Sequence, residues 1–221
     1  MTDRIGSPAL LAAVVVSAVL YVVAAVALGT PPAAAASGPE VVAWFRAHGD
    51  GVRWCAWALT MNAVPAALVF ALLRRLLPPP HRDVFLIGAT AIVATTSVQA
   101  WLWLGLALHP DRLDPATART VLDVSVFWGP VLTGSTVTTM ATPTWLALRA
   151  EAGLPRWLGI LGLVVCGEQL VETITIFGSS GFIEPGGAMN LQLGAALFWI
   201  WLVAFAVWGG LRGRYGPARN G

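Results

Sequence analysis

The chain has 221 residues, of which 57% are hydrophobic and 11% are charged, and its mean hydropathy is +0.74. Soluble domains carry about 25% charged residues, so this composition excludes an ordinary soluble domain. The abundance of apolar residues excludes a disordered chain as well. The net charge of +2 is too small and too scattered for a nucleic-acid-binding surface. All 13 basic residues are arginine, which excludes chemistry that needs a Schiff-base lysine.

Six stretches are long and apolar enough to form transmembrane helices, since a helix needs roughly 20 apolar residues to cross a bilayer. Segments rich in proline, glycine and charged residues separate them, as expected for loops. The sequence therefore predicts an all-α, polytopic membrane helix bundle, with residues 1–221 forming a single domain. The six predicted helices lie at about residues 9–29, 54–77, 84–108, 121–148, 157–178 and 188–211.

The first stretch has a second interpretation, because Arg4 precedes it and the small residues 33–37 follow it. This arrangement is typical of a secretory signal peptide. The apolar core is about 20 residues, however, which is longer than the 7–15 residues of a typical signal h-region. We therefore predict that the first stretch is a retained transmembrane helix.

Two connecting segments carry helix signals of their own. Residues 41–46 have the pattern of a short amphipathic helix at the membrane surface. Asp114 followed by Pro115 is typical of an N-cap and a first helical residue. The fourth helix is therefore expected to begin near residue 115 and to project from the membrane.

The distribution of arginine predicts the orientation, since cytoplasmic loops are enriched in basic residues. With both termini in the cytoplasm, nine arginines lie in cytoplasmic segments and four lie in external segments. The use of arginine alone, together with frequent alanine, glycine and proline, suggests a bacterial source with GC-rich DNA. We expect a multi-pass protein of the bacterial plasma membrane with its N- and C-termini inside.

Two glutamates lie inside a predicted membrane helix, Glu168 and Glu172, whereas the other nine acidic residues lie in loops or at helix ends. An acidic residue near the bilayer centre costs about 2.5–3.5 kcal/mol, so two on one helix need a compensating reason. Their i, i+4 spacing places them on one helix face. A carboxylic acid beside a carboxylate can both donate and accept a proton. We predict that the pair is catalytic and titrates as a unit.

Helical rise places several amide side chains at the level of the glutamates. At about 1.5 Å per residue, Glu168 lies about 16 Å and Glu172 about 22 Å from the inner end of their helix. By the same rise Asn62 lies about 12 Å below the outer surface. We therefore predict one polar site in the outer half of the membrane. The other amides near this level are Gln99, Gln169, Asn190 and Gln192.

The chain has 11 tryptophans, and several lie deeper than an interfacial belt would place them. Aromatic faces near carboxylates can stabilise a cationic ligand or intermediate. We predict that Trp101, Trp103 and Trp199 line the site, although ordinary packing remains an alternative for each of them.

Two further groups of residues allow other hypotheses. The hydroxyl side chains between residues 133 and 144 either line a polar pathway or serve in helix packing. His48 and His109 are candidates for a metal site with Asp111 or Asp114. No HExxH motif is present, and no metal site is assigned.

The segments 50–54 (DGVRW) and 154–159 (LPRWLG) resemble segments of small multi-pass actinobacterial membrane proteins of unknown function. This resemblance implies a six-helix bundle and carries no catalytic residues. The small membrane-bound terpene cyclases also pair intramembrane acids with aromatic residues, but they have seven helices and an acid on the second. Asn62 occupies the second helix here, so the similarity to the cyclases concerns chemistry alone.

The leading hypothesis is an intramembrane enzyme that acts on a lipid-soluble, isoprenoid-like substrate by proton transfer, as an isomerase or cyclase. Glu168 and Glu172 would supply the acid and the base, and Asn62, Gln99 and Gln169 would orient the substrate or the glutamates. No nucleotide, flavin or nicotinamide motif is present, so cofactor-free chemistry is expected. Membrane lipids are the expected surroundings, and nucleic acid is not an expected partner.

Two alternatives use the same glutamates. In a proton-coupled transporter or cation channel they would bind and release a proton or a small cation. In a membrane scaffold or assembly subunit they would satisfy polar groups of another chain or of a second copy in a homo-oligomer.

Overall fold

A computed structural model describes residues 6–126 and 128–215, and within them the side chains of residues 8–126 and 132–212. The structure is 84% helical, and the described residues contain no strand. Shorter 3₁₀ turns lie at Pro110–Arg112, Thr173–Phe177 and Gly181–Ile183, and π-helical turns at Met189–Gly194. The α-helices of the described residues are α1 (Gly6–Leu28), α2 (Gly38–Arg74), α3 (His81–Leu108), α4 (Pro115–Val126), α5 (Trp128–Leu148), α6 (Arg156–Glu172) and α7 (Ala195–Tyr215).

Five helical segments among the described residues are long and apolar enough to cross a membrane. This agrees with the predicted all-α, multi-pass class. The five segments are Pro8–Leu28, Gly38–Arg74, His81–Leu108, Arg156–Phe177 and Met189–Arg212.

The fourth predicted stretch, 121–148, corresponds to the end of α4 and to α5, which lie on either side of residue 127, outside the described residues. The predicted start at residue 115 is confirmed: Asp114 accepts a 2.8 Å hydrogen bond from the backbone N–H of Thr117 and a 2.9 Å bond from its hydroxyl.

The prediction of a separate amphipathic helix at residues 41–46 was wrong, because these residues belong to α2. With 37 residues α2 is about 55 Å long, far more than the hydrocarbon core of about 30 Å. Its first turns bury Val41, Val42 and Phe45 in a cluster that includes Leu122 of α4. This packing stabilises helical backbone through a segment whose local signals favour a break.

Six helices form a closed ring in which α1 packs on α2, α2 on α3, α3 on α5, α5 on α6, α6 on α7 and α7 on α1. The connections 29–37, 109–114 and 178–188 lie at one end of the ring, which we call the long-loop end. The connections 75–80 and 149–155 lie at the opposite, short-loop end. Helix α4 lies against α2 and α3 outside the ring.

Two apolar clusters fill the ends of the ring. The larger cluster occupies the short-loop half, where Phe85, Met140, Leu158, Trp201 and Phe205 are fully buried. The smaller cluster joins α2 to α3 and α4 at the long-loop end. The buried side chains of Asn62, Gln99, Gln169 and Glu172 line a space between the clusters.

Candidate functional site in the central cavity

A cavity of about 610 Å³ lies inside the ring of helices. Small-molecule sites commonly enclose about 300–1,000 Å³, so this cavity has the size of a ligand site. Most of its wall is apolar, with Phe70, Phe198 and Leu202 towards the short-loop end. The polar residues of the wall are Tyr21, Thr30, Cys55, Asn62, Thr96, Ser97, Gln99, Thr136, Gln169, Glu172, Glu184, Asn190 and Gln192.

Glu172 lies in the cavity wall, deep among the helices, and is only 3% exposed. Its Oε1 accepts a 2.6 Å hydrogen bond from Nδ2 of Asn190, and its Oε2 accepts a 2.8 Å bond from Nε2 of Gln169. Hydrogen bonds to a carboxyl group at these lengths are strong and directional. The two amides therefore hold the Glu172 carboxyl group in a single orientation.

Gln169 bridges the two glutamates. Its Nε2 donates to Glu172 and also to Oε2 of Glu168, at 3.1 Å, while its Oε1 accepts a 2.6 Å bond from the hydroxyl of Thr136. No hydrogen bond joins the two carboxyl groups directly among the described residues. We call Glu168, Gln169, Glu172 and Asn190 the carboxyl–amide cluster.

Helix geometry changes on both sides of this cluster. Helix α6 ends at Glu172 and continues as 3₁₀ turns, in which the Thr175 hydroxyl donates a 2.8 Å bond to the Glu172 carbonyl. The π-helical turns before α7 place Asn190 opposite Glu172 and bring Gly194 close to the Glu172 carboxyl group. A Cβ atom at Gly194 would collide with that carboxyl group and with the Gln169 amide. π-Helical turns occur frequently at functional sites.

Two amides from other helices also reach the cavity. The Asn62 Oδ1 atom accepts a 2.6 Å hydrogen bond from the hydroxyl of Ser17 on α1. The Gln99 residue is 3% exposed, and its Nε2 has no hydrogen-bond partner among the described residues. A buried donor without a partner is costly, so Gln99 is suited to donate to an acceptor atom of a ligand in the cavity.

Two connecting segments form the wall of the cavity at the long-loop end. Residues 29–32 and 181–188 contribute to this wall, and Glu184 accepts a 2.9 Å hydrogen bond from the backbone N–H of Ala34. Arg119 of α4 donates to the carbonyls of Ala33 and Ala36, at 3.2 and 3.1 Å. These contacts hold the first connection over the cavity.

The structure brings most of the predicted site residues together but separates two of them. Glu168 lies behind Gln169, is not part of the cavity wall, and has a buried Oε1 with no partner among the described residues. Trp101 is 69% exposed on the outside of α3 and does not line the cavity. Its position two residues from Trp103 places it on a different helix face. The predicted residues that line the cavity are Asn62, Gln99, Trp103, Gln169, Glu172 and Trp199.

Sequence reasoning missed three contributions to the site. Asn190 was placed at the right depth, but its bond to Glu172 joins residues 18 positions apart and depends on the π-helical turns. Thr136 is one of several hydroxyl residues between 133 and 144, and only the fold shows that it donates to Gln169. Tyr21 also lines the cavity, and its hydroxyl in an otherwise apolar stretch is the sequence signal that indicates such a role.

The described residues contain no group of three or more histidine, cysteine, aspartate or glutamate side chains that could hold a metal ion. Asp111 instead forms a 2.7 Å ion pair with Arg46, and Asp114 caps α4.

No protein-family model matches the chain, and no curated protein or solved structure was found to be similar to it.

Proposed function

We propose that the protein is an intramembrane enzyme that isomerises or cyclises a lipid-soluble, isoprenoid-like substrate by proton transfer at Glu172. The observation that carries this proposal is the position of the Glu172 carboxyl group, fixed by two amides, in the wall of a largely apolar, ligand-sized cavity. Such a cavity favours an apolar substrate, and a carboxyl group is a suitable proton donor or acceptor for it.

The proposed reaction balances without a cofactor. The protonated Glu172 carboxyl group donates its proton to one carbon of a substrate double bond, which leaves a carbocation. The Glu172 carboxylate then removes a proton from a neighbouring carbon, so the product is an isomer of the substrate. The aromatic faces of Trp103 and Trp199 in the cavity wall are suited to stabilise the intermediate cation.

The other polar residues would position the reacting groups. Gln169 and Asn190 orient the Glu172 carboxyl group, and Glu168 acts through Gln169 and is proposed as a positioning residue. The unpartnered amide of Gln99 would bind an oxygen atom of the substrate. A substrate with a long apolar part and one polar oxygen would therefore suit the cavity.

The closed short-loop end favours an enzyme over a transporter or channel. Between the cavity and the short-loop end, the ring is filled by apolar side chains, including the fully buried Leu73, Phe85 and Met140. A proton or cation would need a polar route through this region, and burying an ion among apolar groups is very costly.

We further propose that α5 is a sixth membrane-spanning helix. With 21 residues it is about 31 Å long, which matches the hydrocarbon core, and it packs between α3 and α6 in the ring. Six crossings place both termini on one side, and the arginine distribution favours the cytoplasm for that side. The long-loop end would then face outward from a bacterial plasma membrane.

The proposal is tested by purifying the full-length protein from its native membrane and identifying the small molecules that co-purify by mass spectrometry. Glu172→Gln and Glu168→Gln proteins are prepared in parallel, with Glu151→Gln as a surface control because Glu151 is exposed. We expect one apolar compound enriched over bulk lipid, and its isomer in the wild-type and Glu151→Gln preparations. The isomer should be absent from Glu172→Gln and reduced in Glu168→Gln. Identical bulk lipid in all four preparations would contradict the proposal. It would favour the proton-coupled transporter, which proton-flux measurements in liposomes would then test.

A further inference from the structure

A second concave surface lies outside the ring, between α1 and α7. This groove encloses about 760 Å³ and follows α7 from Ala196 to Leu211, a length of about 22 Å. Ala18 and Val22 of α1 form one side, and Trp157 at the start of α6 contributes to the other. Both α1 and α7 lie in helical segments that are long and apolar enough to cross a membrane.

The groove is almost entirely apolar. Its wall consists of alanine, valine, isoleucine and leucine side chains together with Tyr21, Trp157, Trp199 and Trp208. None of the residues that line it carries a charge. In a bilayer such a surface suits a hydrocarbon chain, because binding the chain buries no charged group.

The groove and the central cavity share two wall residues, Tyr21 and Trp199. Their rings lie 5.0 Å apart between centroids, with 39° between their planes, and both side chains are half-buried. We call this pair the aromatic partition. These two side chains therefore lie between the groove and the cavity.

We propose that the α1–α7 groove binds the hydrocarbon chain of the bilayer-dissolved, isoprenoid-like substrate, and that the chain passes through the aromatic partition into the cavity. This inference rests on the proposed function of the cavity. The occupant is specified by the uncharged wall, by the length of the groove, and by its continuity with the cavity in whose wall the Glu172 carboxyl group is fixed.

The long-loop end is the competing route, and its chemistry suits a hydrocarbon chain less well. Segments 29–32 and 181–188 cover the cavity there, and the Ala34–Glu184 hydrogen bond joins the two connections. An apolar chain would have to leave the bilayer and pass polar backbone to use this route. The groove offers a route that stays within the apolar region.

The route is tested with full-length protein in liposomes and a diazirine analogue of farnesol as the probe. After irradiation at successive times, mass spectrometry measures how fast the probe labels Ala66 and Phe70, the two residues of this part of α2 that line the cavity. Ala18→Phe and Ala204→Phe fill the groove from opposite sides and leave the cavity wall unchanged. Ala94→Phe is the matched control, because Ala94 is exposed on α3 and lines neither space.

We expect both groove-filling variants to slow labelling of the cavity at least several-fold, with Ala94→Phe labelled at the wild-type rate. Trp199→Ala should accelerate labelling several-fold, because it removes half of the aromatic partition. Unchanged labelling in Ala18→Phe and Ala204→Phe would overturn the inference, as would faster labelling in Glu184→Gln than in Trp199→Ala. Thermal unfolding of each variant identifies any that fails to fold, and the two groove variants act independently.

The same experiment separates the route from the proposed function, since labelling requires no turnover. Labelling that depends on the groove and persists in Glu172→Gln, while the wild-type protein converts no lipid, would support the proposed route and contradict the proposed enzymatic function. Conversion of a lipid together with labelling that does not depend on the groove would support the proposed enzymatic function and contradict the proposed route.

Discussion

The side-chain amide of Asn190 donates a 2.6 Å hydrogen bond to Oε1 of Glu172, which connects the π-helical turns before α7 to the last residue of α6. The same amide nitrogen lies 3.2 Å from the hydroxyl of Thr175. The contact between Asn190 and Glu172 orients the Glu172 carboxyl group in the cavity wall. It also links α6 to the segment that leads into α7.

Asn190→Ala should therefore destabilise the protein, because it leaves one oxygen of a buried carboxyl group without a donor. We expect a loss of about 1–3 kcal/mol in the free energy of unfolding, measured in mixed micelles. In a double-mutant cycle with Glu172→Gln the two changes should be coupled by about 0.5–3 kcal/mol. Additive effects would mean that the contact contributes nothing specific. Asn190→Ala combined with Glu151→Gln should be additive.

Gly194→Ala should lower stability and displace the Glu172 carboxyl group, since the added methyl group would collide with it and with Gln169. Overpacking of this kind costs about 1–3 kcal/mol. Gly167→Ala is a matched control in α6, because a Cβ atom there meets nothing within 4 Å. It should be neutral or stabilise by up to about 1 kcal/mol, since alanine is the better helix former. Thermal unfolding of both variants gives the comparison, and an equal response at both positions would contradict the close contact.

Gln99→Leu should weaken ligand retention without destabilising the protein. The buried Nε2 has no partner among the described residues, so its removal relieves a cost of about 1–3 kcal/mol and should leave the melting temperature unchanged or higher. Asn62→Leu breaks the bond from Ser17 and should lower the melting temperature. Thermal unfolding, with the amount of co-purified ligand, distinguishes the two. A lower melting temperature in Gln99→Leu would indicate a structural role for Gln99.

The cap of α4 should lose its stabilising effect in acid. Hydrogen bonds from the backbone and side chain of Thr117 lower the pKa of the Asp114 carboxyl group below its usual value. A lowered pKa in the folded state means that the contribution is complete above the ordinary pKa of about 3.9 and declines as the pH falls through the folded-state value.

Wild-type protein and Asp114→Ala should therefore differ in stability near neutral pH and converge below about pH 4. Asp114→Asn keeps an acceptor for the Thr117 N–H but cannot titrate in this range, so its stability should lie between the two at neutral pH. Thermal unfolding across a pH series makes the measurement. A constant difference between wild type and Asp114→Ala down to low pH would exclude a contribution from the ionised carboxylate.

Local sequence signals determined the class of the fold and the general position of the site. Long apolar stretches require helices in a membrane, because each backbone polar group must be satisfied within its own segment. The same regularity of rise placed Asn62, Gln99 and Glu172 at a common depth, and all three line the cavity. The Asp114–Pro115 pair marked the start of α4 for an equally local reason.

Contacts between distant residues decided the rest. Packing on α4 keeps α2 helical through residues 38–53, although glycines and charged residues there favour a break. The packing of α3 in the ring places Trp103 in the cavity wall and Trp101 on the outer surface.

The difference between Glu168 and Glu172 also belongs to the tertiary structure. Their i, i+4 spacing puts them on one face of α6, and the sequence therefore treats them alike. The fold places the Gln169 amide between them and Asn190 against Glu172 alone, which leaves Glu172 in the cavity wall. Periodicity determines which face of a helix a residue occupies, whereas the neighbour that the face meets depends on packing between helices far apart in sequence.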